Sequence, residues 1–164
     1  DFSIFFLALD AQIMLNDGVQ RREIPLRKLY KGYKQLDKTQ DEYIEQIRFE
    51  LPAKDFYFNF EKVSKRTHLD IASVNTAIYL KLANRKIESA SLSAGGVAPV
   101  PLFLQKTSAF LRGKVISGEL IHEAIEIMQT EISPISDARG TKEYKTLLLG
   151  QLIKAHFQNF LMTQ

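Results

Sequence analysis

A short stretch of mixed charge, residues 62–70, holds the side chains of this sequence that are best placed to do chemistry. It carries Lys62, Arg66 and Asp70 and leads directly into the alternating run Ile71–Leu82. An ammonium or guanidinium group at such a place can stabilise negative charge in a bound molecule. The simpler interpretation is a solvated lysine beside an Arg66–Asp70 surface pair that holds a turn and adds little stability. The residues alone leave both interpretations open.

Other kinds of catalytic chemistry find little support. The chain has no cysteine, which excludes an iron–sulfur cluster, a thiolate zinc site, a disulfide and a cysteine nucleophile within it. His68, His122 and His156 have no metal-ligand spacing between them, although His122-Glu123 begins an H-E-x-x-H pattern. No nucleophile–base pair can be recognised from the spacing. We therefore predict no catalytic residue and no metal site in this chain.

The composition is that of an ordinary globular protein. Of 164 residues, 45% are apolar and 25% are charged, and the net charge is +3. Basic residues alternate with acidic ones and form no stripe beside the aromatic residues, so we predict no nucleic-acid partner. The apolar run Ile4–Leu9 is too short to cross a bilayer, so we predict no membrane partner and a cytoplasmic location. Because residue 1 is Asp, we expect the chain to begin inside a larger polypeptide.

The elements that must position the charged stretch are strands first and helices afterwards, an order that predicts an α+β fold. The central hairpin consists of a half-buried strand, Ile71–Leu82, and its partner, Lys86–Ser93. Gly95-Gly96 then permits a sharp exit from the sheet. Before this hairpin we predict a helix at 1–9, strands at 11–15 and 19–24 joined by a turn at Asn16–Gly18, a surface loop at 31–41, and strands at 43–51 (closed by Pro52) and from 56. After it we predict helices at about 102–112, after Ser117 as N-cap, and from near 141.

Four ordered motifs give the chain a family resemblance. They are Ser64 and Arg66 with Asp70–Ala72, then Val74-Asn75, then GGVAP at Gly95–Pro99, and then PISDARG at Pro134–Gly140. The chain resembles the C-terminal half of the FAD-binding domain of molybdenum hydroxylases, most like the small FAD and iron–sulfur subunit of bacterial xanthine dehydrogenase. The resemblance implies an antiparallel sheet with three C-terminal helices packed on one face, as in the C-terminal domain of the CO dehydrogenase flavoprotein.

A change of composition near residues 52–55 predicts where this domain begins. Residues 1–52 resemble the C-terminal remnant of an α+β FAD-binding subdomain. Residues 53–164 resemble a complete CO dehydrogenase flavoprotein C-terminal-like domain. The resemblance also implies that loop 64–70 borders the flavin on the side where NAD approaches. We expect loop 134–140 to be structural.

Three residues are implied to contact FAD when the family's positions are carried over: Lys62, Asp1 and Ile44. The resemblance places the Lys62 ammonium near the flavin, where it would stabilise the negative charge that builds up on reduction. Asp1 corresponds to the aspartate of the family's Ser-Pro-x-x-Asp segment, and Ile44 lies near an apolar residue whose backbone meets FAD. Because the chain has no glycine-rich phosphate loop, we expect only a partial FAD site.

The resemblance further implies a part of an NAD-dependent oxidoreductase of purine catabolism. The intact enzyme would hydroxylate a purine at a molybdenum cofactor and pass electrons through 2Fe-2S clusters and FAD to NAD. Molybdopterin and the clusters would lie on other segments or subunits, so the expected partners are the missing N-terminal part and the molybdopterin-binding large subunit. Two alternatives stay open: an FAD-subunit fragment of the carbon monoxide dehydrogenase medium-subunit type, or a folded fragment that acts only as an interaction module.

Overall fold

The N-terminal third of the chain folds around a three-stranded antiparallel sheet. The computed structural model describes residues 1–51 and 55–162. The first elements are α1 (Phe2–Ala8), β1 (Gln12–Asn16), β2 (Arg21–Pro25), α2 (Leu26–Leu29), β3 (Tyr30–Gly32), β4 (Gln35–Leu36) and β5 (Tyr43–Arg48). The sheet has the order β2-β1-β5. At the predicted turn between β1 and β2, Asn16 Oδ1 accepts a hydrogen bond from Gly18 N at 2.7 Å, and Gly18 has a φ of 91°.

Residues 31–41 differ from the predicted surface loop, because β3 and β4 pair as a short hairpin at their start. The segment that follows is organised by Arg22 on β2. Its guanidinium donates to Asp37 Oδ1 at 3.1 Å and to Glu42 at 2.5 and 3.0 Å. The hydrogen bond from Arg22 lowers the pKa of Glu42 to about 2. Polar composition predicts exposure to solvent, but it does not reveal ion pairs between residues that are far apart in sequence.

The central sheet has the order β6-β7-β8-β9 and is antiparallel throughout. Its strands are β6 (Phe56–Ser64), β7 (Ala72–Ala83), β8 (Lys86–Gly95) and β9 (Leu102–Phe103). Strand β7 was predicted to be half-buried, and this is wrong: most of its residues are buried on both faces. Val74 and Ile78 lie in the larger apolar core, while Ala77 packs with Ile4 and Leu7 of α1 on the opposite face. Alternation shows which residues share a face, but it does not show what covers that face.

In the described residues up to 162, three helices follow the sheet, as predicted. They are α3 (Gln105–Leu111), α4 (Gly118–Gln129) and α5 (Lys142–Met162). Ser117 is the N-cap of α4, and its hydroxyl accepts a hydrogen bond from Leu120 N at 3.1 Å. The larger core joins all three helices to one face of the sheet, through residues such as Leu111, Met128 and Phe157. Helix α1 adds a smaller cover on the other face.

The predicted boundary between residues 52 and 53 lies outside the described residues and stays a prediction. The strand predicted over residues 43–51 is shorter than expected, because β5 ends at Arg48. Helix α1 of the first predicted unit nevertheless packs on the central sheet of the second, where Ser93 Oγ donates to Ile4 O at 2.6 Å. None of the helices in residues 1–51 and 55–162 has both the length and the hydrophobicity needed to cross a lipid bilayer.

Candidate functional site

Three neighbouring strands bring Lys62, Asn75 and Gly95 into one row across the central sheet. Lys62 on β6 is paired with Asn75 on β7, and Asn75 is paired with Gly95 on β8. Directly paired residues of adjacent strands share a face of the sheet. For this row it is the face that α1 covers, and the row lies beside Asp1 at the start of that helix.

The Asp1 carboxylate joins the row through both of its oxygens. Oδ1 accepts a hydrogen bond from Asn75 Nδ2 at 2.6 Å, and Oδ2 pairs with Lys62 Nζ at 2.5 Å. The side chains of Lys62 and Asp1 are 27% and 42% exposed, whereas Asn75 is buried. The ammonium is therefore held in place by the protein while it stays partly accessible to a bound molecule.

Two of the three predicted site residues thus meet, although they are 61 positions apart in sequence. The third, Ile44, lies on β5 in the other sheet, where it is paired with Leu15. Strand β5 is at the edge of that sheet, and the Ile44 side chain is exposed. The structure therefore brings Asp1 and Lys62 together and places Ile44 on a separate surface.

The glycine pair does more than allow the predicted sharp exit from the strand. Gly96 has a φ of +82°, and a Cβ there would lie 2.3 Å from the backbone oxygen of Ser73, so the turn does require glycine. Gly95 is needed for another reason. A Cβ on Gly95 would lie 2.2 Å from Asn75 Oδ1, in the space that the Asn75 amide fills. Asn75 belongs to one of the sequence motifs, but the motif alone does not indicate that its amide lies against Gly95.

An open cavity of about 300 Å³ lies beside Asp1. It is bounded by the start of β7, by the Gly95–Pro101 segment and by the loop that precedes α5. Its charged lining residues are Asp1, Asp137, Arg139 and Lys145. Equal numbers of acidic and basic groups give the cavity a polar lining without a single dominant charge.

The loop at 134–140 has the predicted structural role. Lys145, whose side chain is 3% exposed, forms an ion pair with Asp137 Oδ2 at 2.7 Å and donates to Ile135 O at 2.9 Å. The hydrogen bond from Lys145 lowers the pKa of Asp137. The loop is also joined to the sheet, because Ser73 Oγ donates to Arg139 O at 3.1 Å. Its charges are therefore used to fix one wall of the cavity.

The mixed-charge loop is closed by Asp70. Its carboxylate accepts hydrogen bonds from Arg66 N and Ile71 N, both at 2.9 Å, and the bond from Arg66 N is the main cause of its lowered pKa. The Arg66–Asp70 ion pair is long, at 3.5 Å. Leu69 at the tip is almost fully exposed. The pair holds a turn, which agrees with the simpler of the two interpretations for these residues.

A second polar cluster, which the sequence did not predict, lies on the opposite face of β6. Asn59 Nδ2 lies 2.9 Å from both His156 Nδ1 and Glu61 Oε1, and Asn159 Nδ2 donates to Glu61 at 2.7 Å. Tyr57 donates its hydroxyl to His156 O at 2.9 Å. His156 is fully buried, and its Nε2 has no hydrogen-bond partner among the described residues. Desolvation lowers the pKa of His156 to about 3, so the ring is neutral.

The described part of the chain contains no candidate metal-binding site. Its His, Asp and Glu residues form no group of three that could hold a metal ion. His122 is exposed and lies 3.4 Å from Glu126, one helical turn away. The His122-Glu123 pair noted in the sequence therefore lies on an exposed part of α4.

Comparison with known proteins places the chain among flavoproteins. A family model described as the CO dehydrogenase flavoprotein C-terminal domain matches residues 59–160. The chain is 28% identical over 145 residues to the glyceraldehyde dehydrogenase medium chain of Sulfolobus acidocaldarius, a match that covers 88% of this chain and 51% of the relative. It is 31% identical over 116 residues to a xanthine dehydrogenase of Emericella nidulans, covering 70% of this chain and 8% of the relative.

A solved structure supports the fold. Carbon monoxide dehydrogenase from Hydrogenophaga pseudoflava matches with a TM-score of 0.89 at 24% identity, over 94% of this chain and 54% of the matched chain. This likeness confirms the predicted α+β architecture. The chain spans only about half of the medium chain and of the solved chain that it matches.

Proposed function

Because the chain belongs to the CO dehydrogenase flavoprotein C-terminal domain family, we propose that it forms one wall of the flavin site in the FAD-binding subunit of a molybdenum hydroxylase. The expected cofactor, FAD, agrees with a family of flavoproteins. The observation that carries the proposal is the partly exposed Lys62 ammonium, held by the Asp1 carboxylate at 2.5 Å on the central sheet.

The described residues fit part of an FAD site and lack another part. A fixed cation with a neighbouring carboxylate and amide suits the polar edge of a flavin ring. A pyrophosphate instead needs several backbone amides in one glycine-rich turn. The glycines with positive φ in residues 1–51 and 55–162 are in four separate turns, at Gly18, Gly96, Gly113 and Gly140. The wall proposed for this chain is therefore the one that faces the ring.

Lys62 has the main role in this proposal. FAD, when bound, supplies the ability to accept and pass on electrons. Lys62 contributes a positive charge that is already in place before negative charge develops on the ring, so little reorganisation is needed. Asp1 holds the ammonium in that position. Ile44 is proposed as a backbone contact, because an edge strand such as β5 leaves one row of backbone groups directed away from its sheet.

The finer assignment that we propose is a cytoplasmic xanthine dehydrogenase of purine catabolism, with NAD as electron acceptor. Its molybdopterin would lie on a large partner subunit, and its 2Fe-2S clusters on the missing N-terminal part or on another subunit. Identity of 31% to a xanthine dehydrogenase supports this assignment. The alternative is a subunit of the carbon monoxide dehydrogenase medium type. It is supported by the match to the glyceraldehyde dehydrogenase medium chain, which is longer and covers 88% of this chain.

The test is FAD binding by the full-length flavoprotein that contains this chain. We expect a visible flavin spectrum, and we expect Lys62→Met to weaken FAD binding by roughly tenfold, because a charge-assisted contact is lost. Lys81→Met is the matched control, since Lys81 is on the same sheet and is paired with Glu88. Equal effects of the two variants would refute the role of Lys62. A folded protein without flavin, even after incubation with FAD, would favour an interaction module.

A further inference from the structure

We propose that Asn75 and Gly95 form a positioning device that fixes Lys62 through the Asp1 carboxylate. The inference rests on the proposed contact between Lys62 and the flavin. Asn75 holds Asp1, Asp1 holds Lys62, and Gly95 provides the space in which the Asn75 amide lies. Asn75 is thus a positioning residue that acts on the flavin only through its neighbours.

The packing of Asn75 supports this role. It is 4% exposed, on a strand whose neighbouring residues are also buried. Its Nδ2 donates to Asp1 Oδ1 at 2.6 Å, and its Oδ1 fills the space into which a side chain at Gly95 would project. A buried amide held in this way has little freedom to turn, so it directs the Asp1 carboxylate towards Lys62.

Gly95 has no backbone reason to be glycine. It is not among the glycines with positive φ, whereas Gly96 is. Its Cβ position meets Asn75 Oδ1 at 2.2 Å and Ile4 Cγ1 at 3.0 Å, both of them side-chain atoms. The lack of a side chain at Gly95 therefore serves the Asn75 amide and the adjoining helix α1.

The rest of the surroundings keeps Asp1 within reach of Asn75. Ser93, two residues before Gly95, donates to Ile4 O at 2.6 Å in a buried hydrogen bond. Tyr30 donates to Ser3 Oγ at 3.1 Å from the other side. Helix α1 is thus held by contacts that do not involve Asn75. Removing the Asn75 amide would free one carboxylate oxygen of Asp1, and the partly exposed carboxylate and ammonium could then turn towards water.

The first test measures the flavin potential of the full-length flavoprotein. That potential depends on the dissociation constant of reduced FAD divided by that of oxidised FAD. We expect Asn75→Ala to raise this ratio by about threefold to tenfold, because the ammonium is no longer held near the charge that develops on reduction. The same change in a Lys62→Met background should leave the ratio unaltered. The control is Thr76→Val, which removes the buried bond from Thr76 Oγ1 to Ser93 O without touching Asp1.

An unchanged or lowered ratio in Asn75→Ala, or an equal change in the Lys62→Met background, would overturn the proposal. A Thr76→Val variant that shifts the ratio as strongly would also overturn it, since general loosening of the sheet would then be the cause. A wild-type protein that binds no FAD would refute the proposed function together with this inference.

The second test does not need flavin. Gly95→Ala should increase the unfolding equilibrium constant by about tenfold or more, because its methyl group displaces the Asn75 amide. In an Asn75→Ala background the same substitution should have a much smaller effect, because only the 3.0 Å approach to Ile4 Cγ1 then remains. If Gly95→Ala has the same effect in both backgrounds, the inference fails even where the flavin proposal holds.

Discussion

The two faces of strand β6 carry polar clusters of opposite character. On the α1 face, Lys62 pairs with Asp1, and both side chains stay partly open to solvent. On the α5 face, Asn59 contacts a fully buried, neutral His156. Period-two alternation separates the clusters: Phe58, Phe60 and Lys62 point one way, and Tyr57, Asn59 and Glu61 the other.

The difference shows which polar cluster is suited to bind a ligand. A charged pair at a partly open surface costs little to form and can interact with an incoming group. In the His156 cluster, Nδ1 already has Asn59 as its partner within the protein, and removing that partner would leave a second buried ring nitrogen of His156 without a hydrogen bond. The α5 face therefore has a structural role, whereas the α1 face is the candidate flavin wall.

The largest effect in this comparison is expected from Asn59→Ala. It removes the partner of the buried His156 Nδ1, so we expect the free energy of unfolding to fall by about 2 kcal/mol. Urea denaturation measures this change. If stability fell by less than after Lys62→Met, the assignment of a structural role to the α5 face would be wrong.

A pH dependence of stability is the next expected effect. Because the folded pKa of His156 is lowered from 6.5 to about 3, the unfolded chain binds a proton in this interval that the folded chain does not. Stability is therefore complete above pH 6.5 and falls as the pH drops below it, by up to about 1.4 kcal/mol per pH unit from this residue.

The measurement is the free energy of unfolding between pH 7.5 and 4.5 in wild type and in two variants. His156→Gln should flatten the acid side of the profile, although its overall stability is lower. His122→Gln should keep the wild-type slope, because His122 is exposed on α4. A slope that is the same in His156→Gln and wild type would show that another group controls the acid response.

The smallest effect on stability is expected from Lys62→Met. Because its ion pair with Asp1 is partly solvated, the free energy of unfolding should change by less than about 1 kcal/mol. Thermal unfolding at low and at moderate salt measures the change. A loss as large as that of Asn59→Ala would mean that Lys62 is structural, and the contrast between the two faces would disappear.

The sequence by itself predicted the order of elements and much of their local chemistry. The N-cap at Ser117, the Asn16–Gly18 turn and the central hairpin depend on neighbouring residues, so their signals are local. The motifs that include Asp70 and Gly95–Pro99 also pointed to the family that the matched model confirmed. The narrower xanthine dehydrogenase assignment stays a proposal.

The tertiary structure alone decided what covers each face and which distant residues meet. Strand β7 has the alternation of a half-buried strand, yet α1 covers its second face. His156 could not be distinguished from an exposed helical histidine by its neighbours in sequence. The fit of Asn75 into the space at Gly95 depends on strand register, as does the contact of Asp1 with Lys62. Local sequence patterns indicate which face of a strand a side chain occupies. Strand register and packing decide which distant residue it contacts, because these residues come together only when the sheet assembles.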